Sequence, residues 1–161
     1  MQGDSEVLKL LNEQLTSELT AINQYFLHSK MQANWGFSEL AEHTRAESFE
    51  EMQHAELITD RILLLDGLPN YQRLFSLRVG QTLREQFESD LAIEYDVVER
   101  LKPGIALCRA KEDTTSAILL ERILADEETH IDYLETQLQL MNTLGDALYA
   151  AQCVSRPPSN K

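Results

Sequence analysis

Two copies of the short motif Glu-x-x-His stand out in the sequence, and a further glutamate precedes each copy by the same 33 residues. The six side chains are Glu18, Glu51 and His54 in the first half, and Glu94, Glu127 and His130 in the second. Residues three apart lie on one face of a helix, so each motif places a carboxylate beside an imidazole. The two halves of the chain therefore offer matching sets of groups that can bind metal ions.

Carboxylate oxygen and imidazole nitrogen together suit iron, manganese or zinc, and the lack of thiolate in the set counts against copper(I). Four ionised glutamates carry four negative charges and neutral histidines carry none, so two divalent cations would balance the site. Either motif alone arises readily by chance in a chain with 27 acidic side chains. The alternative is a structural network of paired or solvated side chains. The pattern favours a dinuclear metal site because the two halves match.

Four long helices are predicted to carry these side chains, because apolar residues recur at steps of three and four along four segments. Asp4 and Ser38 are predicted N-caps, and Thr82 with Glu85 has the pattern of a capping box. Lys102-Pro103-Gly104 predicts a kink or break in the third helix. The predicted elements are a first helix from Asp4 to about Asn34, a second from Ser38 to about Gly67, a third from near Thr82, a fourth after residues 113–116 that stops at Gly145, and a short fifth helix over 146–152.

The core-facing stripe of every long predicted helix contains a carboxylate, and two of the stripes also contain a histidine. The stripes are Leu8, Leu11, Leu15, Glu18, Ile22 and Tyr25; Leu40, Thr44, Glu47, Glu51, His54 and Ile58; Leu83, Phe87, Asp90, Glu94, Val97 and Leu101; and Leu120, Ile123, Glu127, His130 and Leu134. An unpaired ionised carboxylate in a core costs several kcal/mol, whereas a whole domain is stable by only about 5–15 kcal/mol. Bound cations would remove this cost, so the stripes support the metal site.

Connection lengths set the predicted topology. Short links join the first helix to the second and the third to the fourth, so each pair should be antiparallel, whereas the segment 67–82 is long for a bundle and suits a crossover. One long crossover is typical of the ferritin-like four-helix bundle. The predicted fold class is therefore all-α: a ferritin-like four-helix bundle over residues 1–152, with one long crossover between helices two and three, a short C-terminal fifth helix, and a flexible tail over 153–161.

Composition agrees with one globular domain: 161 residues, of which 43% are hydrophobic and 25% charged, with a net charge of -13. A charge of that sign repels nucleic-acid phosphates and anionic membranes and attracts metal cations. No segment approaches the roughly 20 apolar residues that span a bilayer. Cys108 and Cys153 show no CxxC pattern and are predicted to be free thiols. We therefore expect a cytoplasmic protein with no nucleic-acid or membrane partner.

Longer segments of the sequence resemble the bacterioferritins, and the likeness runs from Met1 to about Gln152. The segments similar in order and spacing are Asn23-Gln24-Tyr25-Phe26-Leu27-His28, Glu51-Met52-x-His54-Ala55, Leu65-Asp66-Gly67-Leu68-Pro69-Asn70, Ser89-Asp90-Leu91-Ala92 and Asp126-Glu127-Glu128-x-His130-Ile131-Asp132. The resemblance implies a ferroxidase that oxidises Fe²⁺ with O₂ or peroxide and stores ferric mineral inside a shell of 24 subunits built from two-fold dimers. It also implies two irons per subunit, haem b shared between two subunits, and an electron-donating ferredoxin for iron release.

Through this resemblance, the six motif side chains match the ferroxidase ligands. Glu51 and Glu127 would bridge the two irons, and Glu18 and Glu94 would each bind one of them. The resemblance thus implies one bridging and one terminal glutamate in each of the two matched halves.

Three further residues are expected near the centre. Tyr25 matches a tyrosine beside it, and the alternative is a core aromatic with a hydrogen-bonded hydroxyl. Asp90 and Asp126 are predicted to orient the ligating histidines from outside, although a solvated surface carboxylate is nearly as good an interpretation of Asp126. His28 and His43 have no glutamate three residues before them and are predicted non-ligands.

Met52 is predicted to point out of the bundle, about 160° away from His54 at about 100° per helical residue. By itself an outward methionine indicates interface packing. The resemblance instead implies a haem iron ligand, one methionine coming from each of two subunits. The residues expected to form an apolar bed for the porphyrin are Leu19, Asn23 and Phe26.

One departure from the family pattern concerns a third iron site. Some members have a histidine and an aspartate on the inner surface of the second helix, where this sequence has Ala46 and Glu50. Loss of the histidine puts that site in doubt, although Glu47 and Glu50 could still bind iron on a cavity wall.

Three other interpretations compete. A non-cage di-iron or di-manganese peroxidase or catalase usually carries an extra domain or long insertions, for which 161 residues leave little room. A DNA-protecting mini-ferritin has its metal site between subunits and often a basic tail, whereas this tail holds only Arg156 and Lys161. A purely structural bundle without metal is the last.

Overall fold

The computed structural model describes residues 1–155, and this part of the chain contains five α-helices and no strand. The helices are α1 (Ser5–Asn34), α2 (Ser38–Leu64), α3 (Leu83–Ala110), α4 (Thr114–Leu144) and α5 (Asp146–Cys153). The predicted fold class, four long helices and a short fifth one, is confirmed. Of the predicted tail, Cys153 is the last residue of α5, and the residues from Arg156 onward lie outside the described part.

Most helix starts follow the predicted caps. The Asp4 side chain accepts hydrogen bonds from the backbone of α1, and the Thr82 side chain accepts one from the Glu85 N–H. The Glu85 carboxylate in turn accepts from the Gln81 N–H at 2.7 Å. Asp113 caps α4 in the same way. Three of the four long helices therefore begin where a local side chain satisfies their free N–H groups.

The start of α2 differs from the prediction, because Ser38 is its first helical residue and not its cap. The backbone N–H of Ser38 donates to the Ser155 hydroxyl at 2.8 Å. Ser155 also donates its own N–H to the carbonyl of Gly36 at 3.1 Å. A residue distant in sequence therefore supplies the capping oxygen.

The crossover between α2 and α3 lies along α1. Four side chains one or two turns apart on α1 accept backbone N–H groups of the crossover at 2.8 to 3.0 Å: Asn12 from Asn70, Thr20 from Phe75, Gln24 from Arg78, and His28 from Gly80. A segment without regular structure thus has its backbone groups paired on a helix. The predicted crossover along the length of the bundle is confirmed.

The four long helices pack around one interior. α1 lies against α2 and α3, and α3 lies against α4, whereas the seam between α2 and α4 is much less closely packed. The predicted stripes face inward, and only Leu8 and Ile22 among their members are partly rather than fully buried. No described helix is long and apolar enough to cross a membrane.

Of the kink or break predicted at Pro103, the break is wrong, because α3 continues through the proline to Ala110. Leu101, two residues before Pro103, and Gly104, directly after it, are buried in the bundle. A Cβ on Gly104 would lie 2.8 Å from Leu10 Cδ1, so the glycine lets α1 and α3 approach closely. Packing on both sides of the proline holds the helix together against a local cost of about 3 kcal/mol.

Candidate metal centre

All six predicted ligands meet in the middle of the bundle and are almost inaccessible to solvent. Glu18 comes from α1, Glu51 and His54 from α2, Glu94 from α3, and Glu127 and His130 from α4, with exposures between 0% and 4%. The core-facing stripe of each helix turns these groups toward the interior. They lie at one level along the bundle because the two helices of each antiparallel pair carry them at matching heights. The structure therefore places together every residue that the two motifs predicted.

The side chains form two clusters that share two members. One consists of Glu18, Glu51, His54 and Glu127, and the other of Glu51, Glu94, Glu127 and His130; in each, the potential ligand atoms lie within 4.8 Å of one another. His54 belongs only to the first cluster and His130 only to the second. The arrangement is that of two adjacent sites with two carboxylates in common.

The shared carboxylates each turn one oxygen toward each histidine. Glu51 places Oε2 3.2 Å from His54 Nδ1 and Oε1 3.0 Å from His130 Nδ1. Glu127 places Oε1 3.3 Å from His54 Nδ1 and Oε2 3.1 Å from His130 Nδ1. A carboxylate in this orientation can bind one cation through each oxygen. The outer carboxylates, Glu18 and Glu94, approach only one histidine each.

The chemistry of the donors fits two metal ions. Six buried side-chain atoms in the described chain have no hydrogen-bond partner, and five belong to this centre: Glu18 Oε2, Glu51 Oε1, both Glu127 oxygens and His130 Nδ1. Buried charged atoms without partners are costly, and cations would satisfy all five. Oxygen and nitrogen donors without thiolate suit iron.

Burial and mutual repulsion shape the ionisation of the glutamates. Burial raises the pKa of Glu51 and Glu94 well above the usual value, and the neighbouring charge of Glu127 raises both further. Burial also acts to raise the pKa of Glu127, but the adjacent imidazoles of His130 and His54 outweigh it and lower that pKa. Glu51 and Glu94 are therefore carboxyls that tend to keep a proton, whereas Glu127 tends to lose its proton.

Burial acts on the pKa of the two histidines in the opposite direction, because it disfavours their charged form. Burial alone would lower the pKa of His54, but the neighbouring carboxylates of Glu127 and Glu18 outweigh it and raise the pKa well above its usual value. The pKa of His130 is raised in the same way by Glu127 and Glu51. Protons thus take the place of part of the positive charge that the carboxylates require, and bound cations would displace them.

Each histidine also has a partner on its outer nitrogen. His54 Nε2 lies 3.0 Å from Asp126 Oδ2, as predicted for Asp126. His130 Nε2 lies 2.7 Å from Glu50 Oε2, a contact that the sequence reasoning missed. A signal existed: Glu50 immediately precedes the motif glutamate of α2, just as Asp126 immediately precedes that of α4.

Comparison with known proteins agrees with this centre. The family model for the ferritin-like domain matches residues 8–144. Bacterioferritin BfrA of Mycobacterium tuberculosis is 81% identical over 159 residues, 99% of this chain and 100% of the relative. The bacterioferritin of Streptomyces coelicolor is 62% identical, covering 97% of this chain and 93% of its own. The chain belongs to the bacterioferritin family.

Solved bacterioferritin structures have the same fold. That of Mycobacterium tuberculosis BfrA superposes with a TM-score of 0.96 at 81% identity, covering 99% of this chain and all of its own. That of Rhodobacter capsulatus bacterioferritin gives 0.97 at 41% identity, with the same coverage. The Rhodobacter structure has a metal-free dinuclear site and a haem iron in a crystallographic special position.

Tyr25 lies beside the bacterioferritin centre as predicted. Its ring is buried, and its hydroxyl donates a hydrogen bond to Glu94. Burial raises the pKa of the Tyr25 hydroxyl well above its usual value, and the charge of Glu94 adds to the shift. The phenol therefore stays protonated and fixes the orientation of the Glu94 carboxylate.

Asp90 does not orient a ligating histidine, contrary to the prediction. Its carboxylate accepts from His28 Nδ1 and from the Gln24 amide, each at 2.8 Å. Asp90 lies one turn of α3 before Glu94, which brings it opposite His28 of α1 and away from the metal-site imidazoles. His28 and His43 both lie outside the two clusters, and His43 contacts Glu47 at 2.9 Å.

Met52 is half-exposed on the outside of α2, as its helical position predicted. It lines a depression of about 340 Å³ whose other walls are mostly apolar: Leu19, Ile22, Ala55, Glu56, Thr59, Asp60 and Tyr71. Of the predicted porphyrin bed, Leu19 lines this depression, whereas Asn23 and Phe26 are exposed outside it. A thioether at an apolar depression fits one face of a haem.

Proposed function

We propose that this chain oxidises Fe²⁺ to Fe³⁺ at the buried centre and stores the product as ferric mineral. The observation that carries the proposal is the sharing of Glu51 and Glu127 by both clusters, with one oxygen of each turned toward each half. Membership of the bacterioferritin family supports iron storage and ferroxidase chemistry as the general activity.

Each ligand has a separate role in this proposal. Glu51 and Glu127 bridge the two irons, Glu18 and His54 complete one half, and Glu94 and His130 complete the other. Because a carboxylate can shift between binding one and two ions, the bridging pair can accommodate the rise in metal charge on oxidation. Tyr25 holds Glu94 in place through its hydrogen bond.

The reaction takes one electron from each of two Fe²⁺ substrates. With O₂ as acceptor, two Fe²⁺ and two protons give two Fe³⁺ and one hydrogen peroxide; with peroxide as acceptor, two Fe²⁺ and two protons give two Fe³⁺ and two waters. Two adjacent irons match an acceptor that takes electrons in pairs.

Haem b is proposed at Met52. The half-exposed thioether and its apolar depression support binding of a porphyrin face. In the Rhodobacter relative the haem iron occupies a crystallographic special position. Such a position lies on a symmetry element, so equivalent groups from two copies can flank the iron. By analogy, Met52 from each of two subunits would bind the haem, which would supply electron transfer.

The assembly is proposed to be a shell of 24 subunits built from two-fold dimers. Large apolar side chains on the outside of the chain support extensive contacts between copies, among them Phe49, Leu63 and Leu68 at 46% to 84% exposure. We further propose a cytoplasmic location and a ferredoxin as donor of the electrons that release stored iron. The functional unit in this proposal is residues 1–152.

The rival proposal is a non-cage peroxidase or catalase, a class that usually has structure beyond the bundle. The match to a Mycobacterium bacterioferritin over 159 residues favours the shell. Native mass spectrometry separates the two, because a shell has many times the mass of the 18.4 kDa chain.

Ferrous iron titration tests the ferroxidase proposal. Metal-free protein is loaded with increasing Fe²⁺ without oxygen and then mixed rapidly with O₂-containing buffer. The fast phase of ferric absorbance should saturate near two irons per chain. A wild-type protein without a fast phase would refute the proposal.

A further inference from the structure

The two histidines of the centre are held across the α2–α4 seam in a reciprocal way. His54 on α2 contacts Asp126, which immediately precedes Glu127 on α4, at 3.0 Å. His130 on α4 contacts Glu50, which immediately precedes a bridging glutamate on α2, at 2.7 Å. Each helix thus contributes one histidine to the interior. Next to its bridging carboxylate it also carries a second carboxylate, Glu50 on α2 or Asp126 on α4, that contacts the histidine of the other helix. We call Glu50 and Asp126 the holders.

The histidines and their holders lie in different environments. The side chains of His54 and His130 are 6% and 5% exposed, whereas those of Asp126 and Glu50 are 61% and 54% exposed. The holders are therefore solvated carboxylates at the rim of the centre and are not part of its buried charge. α2 and α4 approach each other less closely than the other neighbouring helices do, and the two holder–histidine contacts connect them across this seam.

The outer contact decides which nitrogen faces the metals. When the ring carries a single proton, as it must to bind a metal ion, a carboxylate beside Nε2 keeps that proton on Nε2, so that Nδ1 turns its lone pair inward. In both rings Nδ1 is the atom that faces the shared carboxylates, at 3.0 to 3.3 Å. Without the holder, the ring could turn or carry its proton on the wrong nitrogen.

We propose that Glu50 is a positioning residue for His130, and Asp126 for His54, and that each controls one half of the dinuclear centre. This inference rests on the proposed function. His130 belongs only to the cluster with Glu94, and His54 only to the cluster with Glu18. Loss of one holder therefore weakens the binding of one metal ion and leaves the binding of the other unchanged, although both holders lie on the same face of the bundle.

A different role for the same carboxylates has a distinct signature. Both line a depression of about 450 Å³ that opens directly on the two imidazole rings. If they served only to attract incoming cations, their charge would matter and their hydrogen bonds would not. The amide variants Glu50→Gln and Asp126→Asn remove the charge but keep an oxygen that can accept the Nε2–H.

The experiment is an equilibrium titration of the metal-free assembled protein with Co²⁺, followed by the visible ligand-field bands. Wild type should bind two Co²⁺ per chain. Glu50→Ala should leave one Co²⁺ at wild-type affinity and weaken the other about 10–100-fold, with a change in its band shape. Glu50→Gln should restore most of that affinity. Asp126→Ala and Asp126→Asn should behave likewise.

A double-mutant cycle identifies the half that is affected. Glu50→Ala should have little further effect on Co²⁺ binding in His130→Ala, and its full effect in His54→Ala. Asp126→Ala should show the opposite dependence. Size-exclusion chromatography and helical circular dichroism confirm that each variant assembles.

Several outcomes would overturn the inference. If Glu50→Ala weakened the binding of both Co²⁺ ions equally, Glu50 would have a general structural role. If binding were unchanged, Glu50 would have no positioning role. A Glu50→Gln variant as weak as Glu50→Ala would favour attraction of cations by charge. A wild type that binds fewer than two Co²⁺ would refute the proposed centre itself, which distinguishes that failure from failure of the positioning roles.

Discussion

The backbone N–H of Gly80 donates a 3.0 Å hydrogen bond to Nε2 of His28, whose ring is wholly buried. Because Nε2 accepts, the ring proton lies on Nδ1, which faces Asp90 at 2.8 Å. The end of the crossover is thereby attached to a polar group inside the bundle. His28 thus has a structural role, consistent with its position outside both metal clusters.

Replacing His28 should release the crossover without removing the metal centre. His28→Ala leaves the Gly80 N–H and the Asp90 carboxylate short of a partner, at about 1–3 kcal/mol for each group. We expect faster hydrogen exchange in peptides covering 67–82 and a lower melting temperature, with two Co²⁺ still bound per chain. His43→Ala, at a half-exposed position, is the matched control and should change neither. Unchanged exchange in His28→Ala would contradict the assigned role.

Glu127→Ala should abolish the fast phase of Fe²⁺ oxidation, because it removes one bridging carboxylate from both halves of the centre. The shell should still assemble, since three other buried carboxylates remain to pair with the two histidines. Stopped-flow absorbance measures the oxidation, and size exclusion the assembly. Glu128→Ala, at the adjacent exposed position, should keep the wild-type fast phase.

Metal affinity should fall as pH falls. The pKa values of Glu51, Glu94, His54 and His130 are all raised, so the metal-free centre holds protons that cations must displace. As pH rises these protons are lost and apparent Co²⁺ affinity increases. Calorimetry in two buffers of different ionisation enthalpy should show proton release on binding. Binding heats that do not depend on the buffer would argue against protonated ligands.

Met52→Leu should abolish the haem absorption band, because leucine offers no ligand to iron. Met52→His should retain haem with an altered spectrum, since imidazole replaces the thioether. Leu57→Ala, also exposed on α2 but lining the depression beside the metal centre, is the control and should leave the band unchanged. A wild-type spectrum in both Met52 variants would show that the haem ligand lies elsewhere.

The helices and the ligands were predictable because their signals are local. The seam period places Glu51 and His54 on one face whatever surrounds the helix, and the matching set on α4 follows the same rule. Local caps such as Asp4 and Thr82 were also predictable. The break predicted at Pro103 is wrong because packing against the rest of the bundle outweighs the local preference of proline.

Contacts between helices were much harder to predict. Asp90 lies on the stripe of α3, yet it contacts His28 and not a metal-site histidine, because its height on α3 matches that of His28 on α1. The cap of α2 comes from Ser155, at the far end of the described chain. Such partners depend on how helices are shifted and rotated relative to one another, which the pattern of a single helix does not specify.

The sequence by itself determined that four carboxylates and two imidazoles lie inside a helical bundle, because the seam period places all six on core-facing stripes. Only the tertiary structure decided how they meet: that Glu51 and Glu127 each face both histidines, and that Glu50 holds His130 from the opposite helix. The physical reason is geometric. Helical period fixes the face on which a side chain lies, but the heights and rotations of packed helices fix which atoms come within bonding distance.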